Sequence, residues 1–173
     1  LFIGCNYPGT TYELPDCELD AQRLAKEFRP YCASATVLLS AKATRAGMLK
    51  AFTAVKAKFQ PGDLALIGYS GHGTTDKVDG KLVQAIVPND SILLYEFELR
   101  RMMADMGMAV LLADSCFSYG LARGQKHRPR SIPLSKCTSP DVKIRHAWPL
   151  ARTRSLLRAR RARRPLLPAT VER

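Results

Sequence analysis

Two short apolar runs in this chain each lead into a residue able to do covalent or proton-transfer chemistry, and that pairing restricts the fold more than any other feature. Residues 64–68 deliver Tyr69-Ser70-Gly71-His72-Gly73, and residues 108–113 deliver Asp114-Ser115-Cys116. Apolar runs of this length, bounded by turn residues, read as strands buried in a parallel sheet. In open α/β sheets, sites form beyond the carboxyl ends of the strands. A thiol and an imidazole at two such ends are the parts of an activated sulfur nucleophile. Taken singly, Cys116 is the kind of residue that fills a core, and His72 suits any loop. Taken together they form a candidate site. Gly71 and Gly73 remove bulk on either side of His72, so a substrate backbone can approach. Asp114 places a charge at a strand end, where it needs a partner or a ligand.

The rest of the first two-thirds alternates strand and helix. Residues 1–4 read as the end of a strand, followed by a turn-rich loop. A helix opens at Asp16 or Cys17 and runs to about Phe28, with Ala21, Leu24, Ala25 and Phe28 on one face and Pro30 as its stop. Residues 36–39 form a β-branched strand. Thr44 is the expected N-cap of a second helix carrying Met48, Leu49, Phe52, Val55 and Phe59. Residues 76–80 read as a polar turn with a hairpin-type Asp79-Gly80. A strand over 83–87 and a helix over 94–106 precede the run that ends at Cys116. The expected class is α/β, a mostly parallel sheet flanked by helices, over residues 1–123.

The formal net charge is +12, yet the basicity is confined to one end. Of 27 Lys and Arg residues, 15 follow Ala122, with only two of the 15 acidic residues. Residues 124–173 read as an irregular basic Arg/Pro-rich tail, either a disordered arm or a stretch not selected as protein at all, such as a shifted reading frame. The five cysteines follow no disulfide or zinc spacing, which points to a reducing compartment and a cytoplasmic location. No run approaches the ~20 apolar residues of a membrane helix. The chain opens on Leu1 inside an apolar run, as a fragment or processed piece does.

The two motifs, with Asp114-Ser115-Cys116-Phe117-Ser118 read in full, resemble the His and Cys motifs of caspase-like cysteine peptidases, nearest to the metacaspases and their bacterial relatives. Asn6-Tyr7, followed by Leu14, Cys17, Asp20 and Ala21, resembles the metacaspase opening motif. The resemblance covers residues 1–123 and implies peptide-bond hydrolysis by a dyad. Cys116 is the implied nucleophile, and His72 the implied proton donor to the leaving amine. The N–H groups of Gly73 and Cys116 are the implied oxyanion hole. No third residue to orient the histidine is obvious. Cys17, Asp20, Ser70 and Asp114 match the family's substrate pocket. Two carboxylates there favour a cationic side chain between them, so cleavage after Arg or Lys is expected.

The resemblance also carries departures. Many metacaspases depend on calcium, but Leu94 and Tyr95 stand where the family often has paired acidic residues. Asp76, Asp79, Asp90 and Glu96 remain; calcium binding is not expected, and no metal or other cofactor is expected. Phe117 replaces a small polar residue or histidine at the pocket rim. The family's sheet gains further strands after the nucleophile, where this chain has its basic stretch, so the strand before Cys116 is expected to be an apolar edge. The partner implied is a peptide or protein substrate. Two alternatives remain: an inactive caspase-like interaction module, and a nucleic-acid-binding protein acting through the tail. Trp148 is the tail's only aromatic residue, which argues against the stacking that nucleic-acid arms use.

Overall fold

A computed structural model describes residues 1–115 and 134–140 of the chain. A four-stranded parallel sheet runs in the order β2-β1-β3-β7, where β1 is Phe2–Gly4, β2 Val37–Leu39, β3 Ala65–Ser70 and β7 Ala109–Asp114. Helix α1 (Cys17–Phe28) connects β1 to β2, and α2 (Arg45–Lys58) connects β2 to β3. These two crossovers step in opposite directions along the sheet. With the right-handed connection that parallel strands adopt, they must lie on opposite faces. The two buried clusters agree. Phe2, Ala21 and Ala25 pack with Leu24, Phe28, Leu39 and Leu66 on the α1 face. Ile3, Leu38, Ile67 and Tyr69 pack with Met48, Ala51 and Phe52 on the α2 face.

Local chemistry explains the helix ends. Thr44 caps α2 as expected, its side chain accepting from the Gly47 N–H at 3.1 Å. The Asp16 side chain makes no capping bond for α1; instead Asn6 Oδ1 accepts from the Glu18 N–H at 2.8 Å. A residue of the loop after β1 thus satisfies an orphan donor of the helix that follows it.

A second sheet corrects the expected alternation. Strands β4 (Gly73–Val78), β5 (Lys81–Ile86) and β6 (Leu94–Tyr95) are antiparallel in the order β4-β5-β6. Residues 76–78, read as part of a polar turn, are extended. The turn proper is Asp79-Gly80 alone, both with positive φ (50° and 75°), the pairing a two-residue type I′ hairpin requires. Asp76 disguised the strand, because a carboxylate seldom sits in a buried strand position. Here three hydrogen bonds satisfy it, from Tyr95 Oη (2.7 Å), Ser139 Oγ (2.7 Å) and the Lys77 N–H (2.6 Å). Helix α3 is Glu96–Ala104, shorter than 94–106 because Leu94 and Tyr95 pair with β5.

Helix α3 lies on the α2 side. Arg45, at the start of α2, forks onto Glu98 at 2.6 and 3.2 Å and also donates to the Leu93 carbonyl. Residues 134–140 fall inside the stretch read as a basic tail. They form a 3-10 turn (Leu134–Lys136), and Thr138 then pairs with residues 91–93 through two backbone hydrogen bonds of 2.8 and 2.9 Å. The other residues after Ser115, including most of the 124–173 stretch, lie outside the described residues.

Candidate active site

The strand order fixes where a site can form. Strand β1 sends its chain one way, to β2, and β3 sends its chain the other way, to β7. The connections diverge between the carboxyl ends of β1 and β3, which opens the crevice that open α/β sheets use. The loop after β1 supplies Tyr7 and Tyr12 to that crevice, and the loop after β3 supplies His72.

His72 sits two residues past Ser70, the end of β3. Ser70 is the register partner of Asp114, and the Gly71 N–H extends the ladder to the Asp114 carbonyl at 3.2 Å. Positions 72 and 116 therefore each follow a paired position by two residues. Cys116 itself, the expected nucleophile and second oxyanion donor, lies outside the described residues, as do Phe117 and Ser118. Gly73 is buried and opens β4 directly after His72.

The His72 ring is 2 % exposed, and Nε2 lies 2.6 Å from the Tyr12 carbonyl oxygen. A carbonyl only accepts, so the neutral ring carries its proton on Nε2 and a lone pair on Nδ1. Nδ1 is buried and has no hydrogen-bond partner among the described residues. The group that orients the histidine is thus a main-chain carbonyl. Sequence reading missed it because no side-chain pattern encodes it. The only hint was the turn-rich loop that lets Tyr12 fold back, with positive φ at Tyr7 and Gly9.

The expected substrate-pocket residues are partly assembled. Ser70 is buried and its Oγ donates to Asp20 Oδ2 at 3.1 Å. Asp114 is exposed and shares Ser70's face of the sheet, since parallel register partners point the same way. Cys17 is fully enclosed, one helical turn before Asp20. A separate cavity of about 290 Å³ is lined by Tyr7, Thr10, Thr11, Tyr12, Asn89, Ser91 and Lys136. Among the described residues its lining has no carboxylate and one lysine, which does not suit a cationic side chain.

Two other thiols are poorly suited to nucleophilic work. Burial drives the Cys5 thiol far above its ordinary range, with the neighbouring Cys17 adding to the effect. Burial and then the Asp76 charge raise that of Cys137. Three of the four residues considered for calcium have other partners. Asp76 is held by Tyr95 and Ser139, Asp90 accepts from the Arg45 N–H, and Glu96 pairs with Arg100. Among the described residues no three His, Cys, Asp or Glu side chains converge. Nor is any described helix long and apolar enough to cross a membrane.

Comparison with known proteins gives a consistent answer. A family model described as the caspase domain matches residues 1–155. Metacaspase-7 of Arabidopsis thaliana is 30 % identical over 159 residues, covering 82 % of this chain and 39 % of that protein. Metacaspase-9 of the same plant is 28 % identical over 161 residues, covering 82 % and 50 %. Metacaspase-1 of Plasmodium falciparum is 31 % identical over 117 residues, covering 61 % and 19 %. The chain thus spans half the length of these relatives or less. Among solved structures, protein GSU0716 from Geobacter sulfurreducens shares the fold. Its TM-score is 0.61 at 24 % identity, over 79 % of this chain and 57 % of that one.

Proposed function

This chain belongs to the caspase-domain family, and from that premise we propose that it carries the base half and the substrate-pocket half of a cysteine endopeptidase site, with Cys116 as the nucleophile. The observation that carries the reading is the state of His72. Its ring is buried, one nitrogen is fixed by the Tyr12 carbonyl, and the other has no hydrogen-bond partner among the described residues at the strand end next to the one leading to Cys116.

In the proposed reaction, the Cys116 thiol gives its proton to Nδ1 of His72, and the resulting thiolate attacks the peptide carbonyl carbon. The Tyr12 carbonyl holds the Nε2 proton and steadies the imidazolium while it exists. The N–H groups of Gly73 and Cys116 receive the developing oxyanion. Collapse of the tetrahedral intermediate breaks the C–N bond, and the Nδ1 proton passes to the departing amine. Water then attacks the thioester, giving one proton back to His72, and the carboxylic product leaves with the thiol restored.

Asp20 and Asp114, flanking Ser70, supply negative charge on one face of the β3 and β7 ends. A guanidinium or ammonium is the complementary group, so the scissile bond follows Arg or Lys. Paired fluorogenic peptides ending in Arg, Lys or Asp test this. The expected order places Arg and Lys at least about tenfold ahead of Asp in kcat/KM, with Asp20→Asn narrowing the gap. A preference for Asp would remove the acidic-pocket assignment. An absence of cleavage, together with no labelling of Cys116 by a peptidyl-Arg electrophile, would favour the interaction-module alternative.

A further inference from the structure

We propose that Tyr7 is a positioning residue for His72, acting through its phenolic oxygen on the His72 main chain and through its ring on the imidazole. The proposal rests on the reading of His72 as the catalytic base. Tyr7 follows β1 with φ of +53°, a left-handed conformation that bulky residues rarely adopt. Both sides of its backbone are pinned there. Its N–H donates to Asn89 Oδ1 at 3.1 Å, and its carbonyl accepts from Thr10 Oγ1 at 2.8 Å and from the Thr10 N–H at 3.3 Å. An unusual conformation that is over-determined in this way is a reason to look for function.

The consequence is that the Tyr7 side chain runs inward beneath the 71–73 turn. Its hydroxyl accepts from the His72 N–H at 2.9 Å and donates to the Val87 carbonyl. Tyr69 completes the clamp, its hydroxyl donating to the His72 carbonyl at 2.7 Å and lying 3.2 Å from the Tyr7 hydroxyl. Phenols hold both main-chain groups of His72. Burial keeps both in the protonated, donating form by raising them well above the ordinary tyrosine range. Gly71 is part of the device, because a Cβ there would lie 2.6 Å from the Tyr69 hydroxyl and 3.0 Å from that of Tyr7.

The Tyr7 ring centroid is 4.6 Å from that of the imidazole, tilted by 41°, so it forms one wall of the histidine's slot. Tyr12, from the same loop, meets the imidazole edge-on at 6.4 Å and supplies the carbonyl on Nε2. One loop thus controls where His72 sits, how its ring is rotated and which nitrogen carries the lone pair. Removing only the Tyr7 hydroxyl would orphan a buried N–H at the base itself. It would also leave the Val87 carbonyl competing with the His72 carbonyl for the single O–H of Tyr69, which lies 3.0 Å from the first and 2.7 Å from the second.

Tyr7→Phe in the full chain tests this, because it retains the ring. Misplacement of a reacting group by a fraction of an ångström to an ångström predicts a fall of about 10- to 100-fold in kcat with KM nearly unchanged. Nitrogen-15 spectra of the His72 imidazole give a readout that a purely structural role would not move. The unmutated protein is expected to show one tautomer, protonated on Nε2, and Tyr7→Phe a tautomer mixture. A Tyr7→Phe protein of lowered stability that keeps the wild-type tautomer and kcat would overturn the proposal. Hydrogen exchange at the His72 amide tests it without any variant. Strong protection is expected, and rapid exchange would overturn it. If the unmutated chain cleaves no peptide, the peptidase reading fails, while the tautomer and exchange measurements still decide the role of Tyr7.

Discussion

The two strand ends that frame the candidate site are built in opposite ways. At the end of β3, His72 is 2 % exposed, its N–H and carbonyl are taken by phenols, and its Nε2 is taken by a loop carbonyl. Along β7, the strand leading to Cys116, Val110 and Leu111 are 42 % and 36 % exposed, and the preceding Met108 is 62 % exposed. Strand β7 is paired only with β3 among the described strands. The contrast shows how an imidazole can be held mainly by the loop after β1 and by β3, with β7 contributing the Asp114 carbonyl that anchors Gly71. Among the described residues the hydrogen bonds to His72 itself come from residues 7–87, and a buried network of this kind specifies one geometry because each unpaired member would be costly.

If the contrast is real, equal insults should have unequal effects at the two ends. The largest is expected from Gly71→Ala, which drives a methyl into the tyrosine pair. Overpacking against two buried phenols should destabilise the chain by about 3 kcal/mol in denaturant unfolding. A change below about 0.5 kcal/mol would mean that the clamp is loose. Asp76 ranks next. Burial alone would raise its carboxyl, but the bonds from Tyr95, Ser139 and Lys77 outweigh this and hold it below the ordinary carboxylate range. A depressed folded value contributes stability that is present above the unfolded value near ~3.9 and lost as pH falls through the folded value. Asp76→Asn should therefore cost about 2 kcal/mol near neutrality, free residues 137–139 to exchange, and flatten the stability curve below about pH 4. A variant as acid-sensitive as its parent would show that this carboxylate is not the linked group. The smallest effect is expected at β7. Val110→Lys should change stability by no more than about 0.5 kcal/mol and reduce self-association in sedimentation, since the side chain is exposed and a charge on a strand disfavours pairing with another chain. A large loss of stability there would erase the contrast.

The legible parts of the molecule were those written in side-chain periodicity. The parallel core, the Thr44 cap and the Asp79-Gly80 turn followed from apolar runs, a capping residue and a positive-φ dipeptide. Strand β4 did not, because its buried carboxylate is tolerated only through Tyr95 and Ser139, and the latter is 63 residues away. The pairing of Leu94 and Tyr95 with β5 was hidden for a similar reason. Those residues also suit the apolar face of a helix, and only the antiparallel partner decides between the two. At the site, Ser70 and Asp20 were legible as motif members, and their direct bond joins them across 50 residues. The Tyr12 carbonyl was not, since a backbone acceptor leaves no mark on residue identity. Tyr7 was visible only as one letter of a motif. Its role depends on a left-handed backbone that sequence alone gives little reason to expect at a tyrosine.

The central claim is that His72 acts on the thiol of Cys116 from the neighbouring strand end. The most direct measurement is the pH dependence of Cys116 alkylation by iodoacetamide, followed by peptide mass spectrometry, in the unmutated chain and in His72→Ala. A paired imidazolium lowers a thiol's pKa below its free value near ~8.5. The expected result is that Cys116 reacts readily at pH 6 in the unmutated chain and at least about tenfold more slowly in His72→Ala, with its profile moved up toward that of a free thiol. Identical profiles in the two proteins would contradict the pairing.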